Sequence, residues 1–147
     1  MDYYSAFEIS ASGMAIEKLR LDTLALNLAN ANTSRTEGGS LYQPLRVVAR
    51  ARTARDFDAQ LGGLLGTRYP AGVELASIET VNVAPRQVYD PGHPDADERG
   101  FVAFPNVNPV SEMVALIAAV RGYEANVRAM NAAKSMALSA LEIGRQR

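Results

Sequence analysis

The side chains that could do acid-base or metal chemistry are few and sit in turns. His93, the only histidine, lies in "DPGHP" (Asp90 to Pro94), and "DADE" (Asp95 to Glu98) follows it directly. A Ser-His-Asp arrangement needs a base held in one orientation by a third group. A lone histidine in a Pro/Gly turn is expected to be solvated instead. "DADE" supplies carboxylates for calcium, but it lacks the EF-hand spacing and the glutamate at the twelfth position. A solvated acidic turn is the expectation. "GGLLGT" (Gly62 to Thr67) has glycines without the Lys-Ser/Thr of a phosphate-cradling loop, so it reads as a flexible turn. Arg46, Arg50, Arg52 and Arg55 form a short basic strip, read as a solvent- or subunit-facing edge. Asn32-Thr33-Ser34 matches a glycosylation sequon at chance level only. These residues imply no catalytic site, no metal site and no cofactor.

The more informative polar residues are asparagines inside apolar-periodic segments. "NLANANT" places Asn27, Asn30 and Asn32 where leucines are still recurring, and Asn126 and Asn131 stand similarly near the other end of the chain. Asparagine is a poor helix former because its amide competes for nearby backbone groups. The flanking alanines allow a second helix to come close. A partly buried amide must then find a partner, because an unmade hydrogen bond costs about 1–3 kcal/mol. Only helix registers that satisfy the amide survive, which is how a seam asparagine sets coiled-coil register. Helix C-capping is the competing reading for Asn30 and Asn32 and stays open for Asn32. For Asn27 and Asn126, register-setting is the reading adopted. Asn126→Leu is accordingly expected to scramble assembly.

These residues sit on elements the periodicity predicts. From Asp2 to Asn32, Phe7, Met14, Leu21 and Leu28 recur at seven-residue spacing, widened by Leu24. Ile9, Ile16, Leu19 and Leu26 form a second stripe. A surface helix on a globule needs one apolar stripe, so two imply cover on two faces. From Ser34 to Asn106, turn formers punctuate short extended runs at Leu45 to Arg52, Gly72 to Val81, "QVYD" and "FVAF". They predict a small loop-rich β element. The last helix is predicted from Pro109 to Gly144. Asn108 is placed as its N-cap, Pro109 as its first residue and Glu112 in the first turn. Met113, Leu116, Val120, Tyr123, Val127, Met130, Ala137 and Leu141 fill an a/d seam broken only by Lys134. At 1.5 Å per residue such a helix is roughly 50 Å long.

The fold expectation is therefore mainly α. Long N- and C-terminal helices pair as a coiled coil, with a small loop-rich β element between them. The division is 1–34 for the first helix, 35–106 for the β/loop region and 107–147 for the last helix, the two helices forming one core domain. With 15 Lys+Arg against 16 Asp+Glu, the chain lacks the basic face of a nucleic-acid binder. It has no cysteine, which removes disulfides and thiolate metal sites. "MDYYSAFEIS" has neither the positive region nor the apolar core of a cleaved signal peptide, and no run approaches the roughly 20 apolar residues of a membrane span. A membrane-surface helix would need a basic polar face, whereas Arg121, Arg128, Lys134 and Arg145 are spread around theirs.

Three segments carry a family resemblance. "ASGMAIEKLRLDTLALNLANANT" (11–33) resembles the N-terminal signature of the flagellar rod and hook proteins of the axial family. "EMVALIAAVRGYEANVRAMNAAKSMALSALEIG" (112–144) resembles that family's C-terminal helix. "VYDPGHPDADERGFVAFPNVN" (88–108) is similar to the segment that marks its proximal-rod branch. The sequence departs from the pattern at Pro109, where valine or leucine is more usual, and at Gly122, where serine or alanine is. Gly in a helix interior costs about 1 kcal/mol relative to alanine, so that turn is weak or closely packed. Ala51 to Tyr69 matches only loosely.

The resemblance implies terminal helices that pair within a subunit and then pack with neighbours into a tube. It also implies export without a cleaved signal peptide through the flagellar type III apparatus, and a place in the periplasm-spanning rod of the basal body. Implied partners are copies of the chain, other rod proteins, the MS-ring/export-gate junction and the export apparatus, with no nucleic acid and no direct membrane insertion. On this reading the chain is a structural, torque-transmitting subunit. Its expected interface residues are Leu21, Leu24, Asn27, Leu28, Asn30, Val120, Tyr123, Asn126, Val127 and Met130. The alternative is a soluble helical adaptor that binds one partner through its coiled-coil face.

Overall fold

The computed structural model describes residues 3–36, 38–52 and 72–145. Arg55, the Gly62–Thr67 turn and most of Ala51 to Tyr69 lie outside them. The elements run α1 (Tyr3–Ala29), β1 (Leu45–Ala51), β2 (Val73–Thr80), β3 (Arg86–Tyr89), β4 (Phe101–Phe104) and α2 (Pro109–Arg145). Each boundary has a local cause. At the end of α1, Asn30 gives both its backbone N–H (3.1 Å) and its amide Nδ2 (2.9 Å) to the Leu26 carbonyl. That satisfies one of the carbonyls a helix end leaves without a partner. At the start of α2, Asn108 Oδ1 accepts the N–H groups of Val110 (3.0 Å) and Ser111 (3.3 Å), the N-cap geometry its position predicts. Pro109, which has no N–H to satisfy, occupies the first helical position.

Two compact units divide the packing. One comprises Met1–Leu19, Ala49–Ala76 and Ala119–Arg147, the other Arg20–Val48 and Ser77–Ala118. In the first, α1 and α2 run antiparallel. Gly13 faces Asn126 and Glu17 faces Gly122. The β1 and β2 ends dock on the same stretch of α1. Arg52 N–H reaches the Gly72 carbonyl at 2.9 Å, and Ser12 Oγ accepts the Val73 N–H at 3.1 Å while donating to the Ile9 carbonyl at 2.8 Å. Gly72 has φ +91°, and a side chain there would run into Ser12, so only glycine lets the strand begin this close to the helix.

In the second unit, β3 and β4 pair antiparallel from Arg86↔Phe104 to Tyr89↔Phe101. Val102 is fully buried. The acidic turn is braced from inside. Asp97 Oδ1 accepts the N–H groups of Arg99 (2.9 Å) and Phe101 (2.8 Å), and Asp95 holds Ser34 Oγ (2.8 Å) and the Arg35 guanidinium (3.4 Å). His93, expected to be solvated, is instead half-buried. Its Nδ1 accepts the Asp95 N–H at 3.1 Å and its ring meets Phe104 edge-on. The basic strip faces solvent at Arg46 and Arg50, and its described arginines are ion-paired. Arg50 pairs with Glu74 at 2.7 Å and Arg52 with Glu8 at 2.7 Å in the first unit, and Arg46 with Glu79 at 3.5 Å in the second. Acidic residues on the facing strand and helix neutralise the face that the one-dimensional pattern makes look positive.

Candidate assembly surface

Apart from Ile16, the side chains that α1 and α2 fully bury are small or polar, and many of the large apolar ones on α2 point out. Among the described residues, the buried apolar set is Ile16, Ala31, Val102, Ala119 and Ala133, and the buried polar set is Ser10, Thr23 and Asn27. The predicted α2 seam is corrected here. Met113, Val120, Tyr123 and Leu141 are exposed, whereas Glu112, Ala115, Ala119, Gly122, Asn126 and Ala133 are half-buried or buried. Each of these precedes by one residue a predicted seam position or, for Ala133, the break at Lys134. The physical reason is size: alanine and glycine let two backbones come closer than methionine or tyrosine do, so α2 is rolled until its small residues face inward. Leu116, Val127, Met130 and Ala137 remain half-buried.

What α2 leaves outward is largely apolar in each unit. In the second unit Val110, Met113, Val114 (63% exposed) and Ile117 (53%) on α2 are exposed, as is Leu26 on α1. No charged residue interrupts α2 between Glu112 and Arg121. In the first unit, toward the end of α2, Met136 and Ile143 (75%) are exposed on one side of the helix and Leu138 and Leu141 on the other. Single exposed apolar residues need no explanation, but a contiguous run of them marks an interaction surface. Tyr123 and Val120 are each slightly over one-third exposed.

The asparagines take up different positions. Asn27 is 2% exposed and its amide is fully used. Nδ2 donates to the Leu45 carbonyl (2.9 Å) and to Glu112 Oε2 (3.2 Å), and Oδ1 accepts from the Leu45 N–H (2.9 Å) and the Tyr42 hydroxyl (2.8 Å). One side chain thus ties α1 to the start of β1, to the preceding loop and to the first turn of α2. Burial, and after it the nearby Glu112 carboxylate, push the Tyr42 hydroxyl above the ordinary phenol range, which keeps it a proton donor to Asn27. Asn126 is half-buried and bonds back to the Gly122 carbonyl of its own helix at 3.0 Å. Leu21, Leu24, Leu28 and Asn30 are half-buried. Asn32 is exposed and lies 3.5 Å from the Arg86 guanidinium, which also sits over Phe104.

Sequence reasoning missed Tyr42, Ser12 and Gly13. Tyr42 and Ser12 carry no periodic signal, since their partners lie 15 and 61 residues away. Gly13 had one: it is a glycine in the interior of a predicted helix, where a packing reason is the usual explanation. A shallow groove of about 320 Å³ lies beside Tyr42, Pro44, Val83, Pro85, Pro105 and Asn106. Among its lining residues the only ionisable one is Tyr42, so it holds no acid or base that would work near neutral pH. No helix among the described residues is long and apolar enough to cross a membrane.

Known proteins resemble this chain over most of its length. Residues 7–35 match the family model described as flagella basal body rod protein, and residues 98–143 match that described as flagellar basal body rod FlgEFG protein C-terminal. The chain is 38% identical to the flagellar basal-body rod protein FlgC of Borreliella burgdorferi, over 97% of this chain and 98% of that one. It is 36% identical to FlgC of Bacillus subtilis, over 99% of this chain and 100% of that one. Against FlgC of Salmonella typhimurium the identity is 37%, over 98% and 99%.

Proposed function

The chain belongs to the FlgC family of flagellar basal-body rod proteins, and from that premise we propose that it is a structural subunit of the proximal rod of the bacterial flagellum. The observation that carries the mechanism is the outward apolar surface of α2, with Val114 and Ile117 more than half exposed on a stretch without charges. Residues 1–34 and 107–147 form the axial core, in which α1 and α2 pair as a coiled coil. Their outer faces pack against copies of the chain and other rod proteins. Residues 35–106 lie outside that core. Contacts of this kind that do not close on themselves build a helical shaft, and the shaft transmits torque through many small apolar contacts. The role is mechanical and requires no catalytic step.

The rod location brings further partners. The chain reaches it through the flagellar type III apparatus without a cleaved signal peptide, and it meets the MS-ring/export-gate junction at the base of the rod. Leu21, Leu24 and Leu28 on α1, with Val120, Tyr123, Val127 and Met130 on α2, border the packing faces; Asn27, Asn30 and Asn126 hold the helices that present them.

Electron microscopy of basal bodies tests the reading. Removing the gene is expected to leave rings without a rod, and restoring it is expected to return the rod and motility. A soluble adaptor would leave the rod intact in the deletion strain. In the same complementation, Val114→Asp/Ile117→Asp is expected to keep helical content and chain abundance while abolishing rods. Normal rods in that variant would remove the α2 surface from the mechanism.

A further inference from the structure

In the first unit, two glycines face two polar side chains across α1 and α2, and the arrangement is reciprocal. Gly13 and Glu17 lie four residues apart on α1, in "GMAIE"; Gly122 and Asn126 lie four apart on α2, in "GYEAN". Residues four apart share a helix face one turn from each other. Antiparallel packing then sets the glycine of each helix against the polar residue of the other. A methyl group placed on Gly13 would lie 2.8 Å from Asn126 Nδ2 and Oδ1 and 2.9 Å from its Cγ. A methyl group placed on Gly122 would lie 3.2 Å from Glu17 Cδ and 3.3 Å from its Cγ.

We infer that these four residues form a reciprocal notch-and-knob lock that fixes the register of α1 against α2, with Gly13 and Asn126 its stiff half. The stiffness follows from what each knob can do. Glu17 is long, and its end can give way by a few tenths of an ångström. The Asn126 amide is short and is held by its bond to the Gly122 carbonyl at 3.0 Å, so its movement breaks that bond. The one-turn slip that pairs 6 with 137 would set Asn126 against Glu17, which has a Cβ, and would bring the longer Met130 to the Gly13 notch. The register in turn decides at what height along α1 the exposed side chains of α2 in this unit are presented, Leu138, Leu141 and Ile143 among them.

The lock makes a prediction opposite in sign to helix propensity. Gly→Ala inside a helix normally stabilises it by reducing the freedom of the unfolded chain. Gly13→Ala is expected to disturb the pairing, and Asn126→Ala is expected to rescue it, because it removes the atoms that the new methyl group meets. The absence of native cysteine allows a direct readout. Gly13 with Asn126 and Glu17 with Gly122 have position numbers with a common sum, shared by 6 and 133. Ala6→Cys/Ala133→Cys therefore reports the native register, and Ala6→Cys/Ala137→Cys reports a one-turn slip.

Disulfide yield is measured on non-reducing gels after mild oxidation of cells producing the full chain. In the parent background the native pair is expected to close about tenfold more than the slipped pair. Gly13→Ala is expected to lower that ratio about tenfold, and Gly13→Ala/Asn126→Ala to restore it. A ratio unchanged or raised by Gly13→Ala overturns the lock, as does a double variant no better than Gly13→Ala or a native pair that fails to close in the parent. If Gly13→Ala lowers helical content so far that neither pair forms, recovery in the double variant still supports the lock, and its absence overturns it.

Discussion

Asn27 and Asn126 are the same residue type at polar breaks in two apolar helices, and the chain uses them in opposite ways. Asn27 is enclosed, and all four of its hydrogen-bonding positions are taken by groups distant in sequence. Asn126 is half-buried, its amide N–H bonds to its own helix, and its importance is its bulk beside Gly13. An amide can therefore specify a fold by directional bonding where it is dry, or by shape where a glycine leaves room. The first kind of specification is strong because losing it strands several partners at once. The second contributes little stability and acts by excluding wrong registers.

The largest expected effect tests the first half of that contrast. Asn27→Leu keeps the size and removes the amide, leaving the Leu45 N–H and carbonyl, the Tyr42 hydroxyl and the Glu112 carboxylate without their shared partner. A loss of about 3 kcal/mol in the denaturation free energy of the full chain is expected. A loss well under 1 kcal/mol would put Asn27 in the same class as Asn126. A middle-sized effect sharpens the picture of the hub. Because the Tyr42 hydroxyl is pushed above its unfolded range, the folded state binds that proton more tightly. Its contribution is then complete below the ordinary phenol pKa of 10.0 and is lost as pH rises through the higher folded value. Tyr42→Phe is expected to lower stability by about 1 kcal/mol near neutral pH and to flatten this alkaline fall relative to the parent. Equal alkaline slopes in the two chains would detach Tyr42 from the hub. The smallest effect belongs to Asn126→Ala. Its amide bond is a back-bond to the preceding turn, a type that adds little to helix stability, so a change of about 0.5 kcal/mol or less is expected by denaturation.

Much of the architecture was legible one element at a time. Asn108 and Pro109 announce the start of α2 because capping is a contact between residues two and three apart. The β3–β4 hairpin was legible because its apolar runs flank a dense Pro/Gly/Asp turn. The burial pattern was not. Met113, Val120, Tyr123 and Leu141 have the spacing of a core seam, yet a neighbouring row headed by Ala119 and Ala133 is the one enclosed. On a helix that is apolar on several sides, periodicity cannot tell the face that meets its own chain from the face that meets another. His93 was misread for a related reason, since Phe104, which its ring meets, comes from β4.

The sequence by itself determined the order and approximate extent of the helices and strands, although α1 ends at Ala29 and not Asn32, and through its end segments which family the chain joins. These follow from contacts of a few residues' reach and from long stretches of matching residue types. Tertiary packing alone decided which face of α2 turns inward, that Asn27 gathers Tyr42, Leu45 and Glu112, and that Gly13 must stay bare beside Asn126. Those outcomes depend on how closely two backbones approach, a distance that the small residues of both helices set together and that neither helix encodes alone.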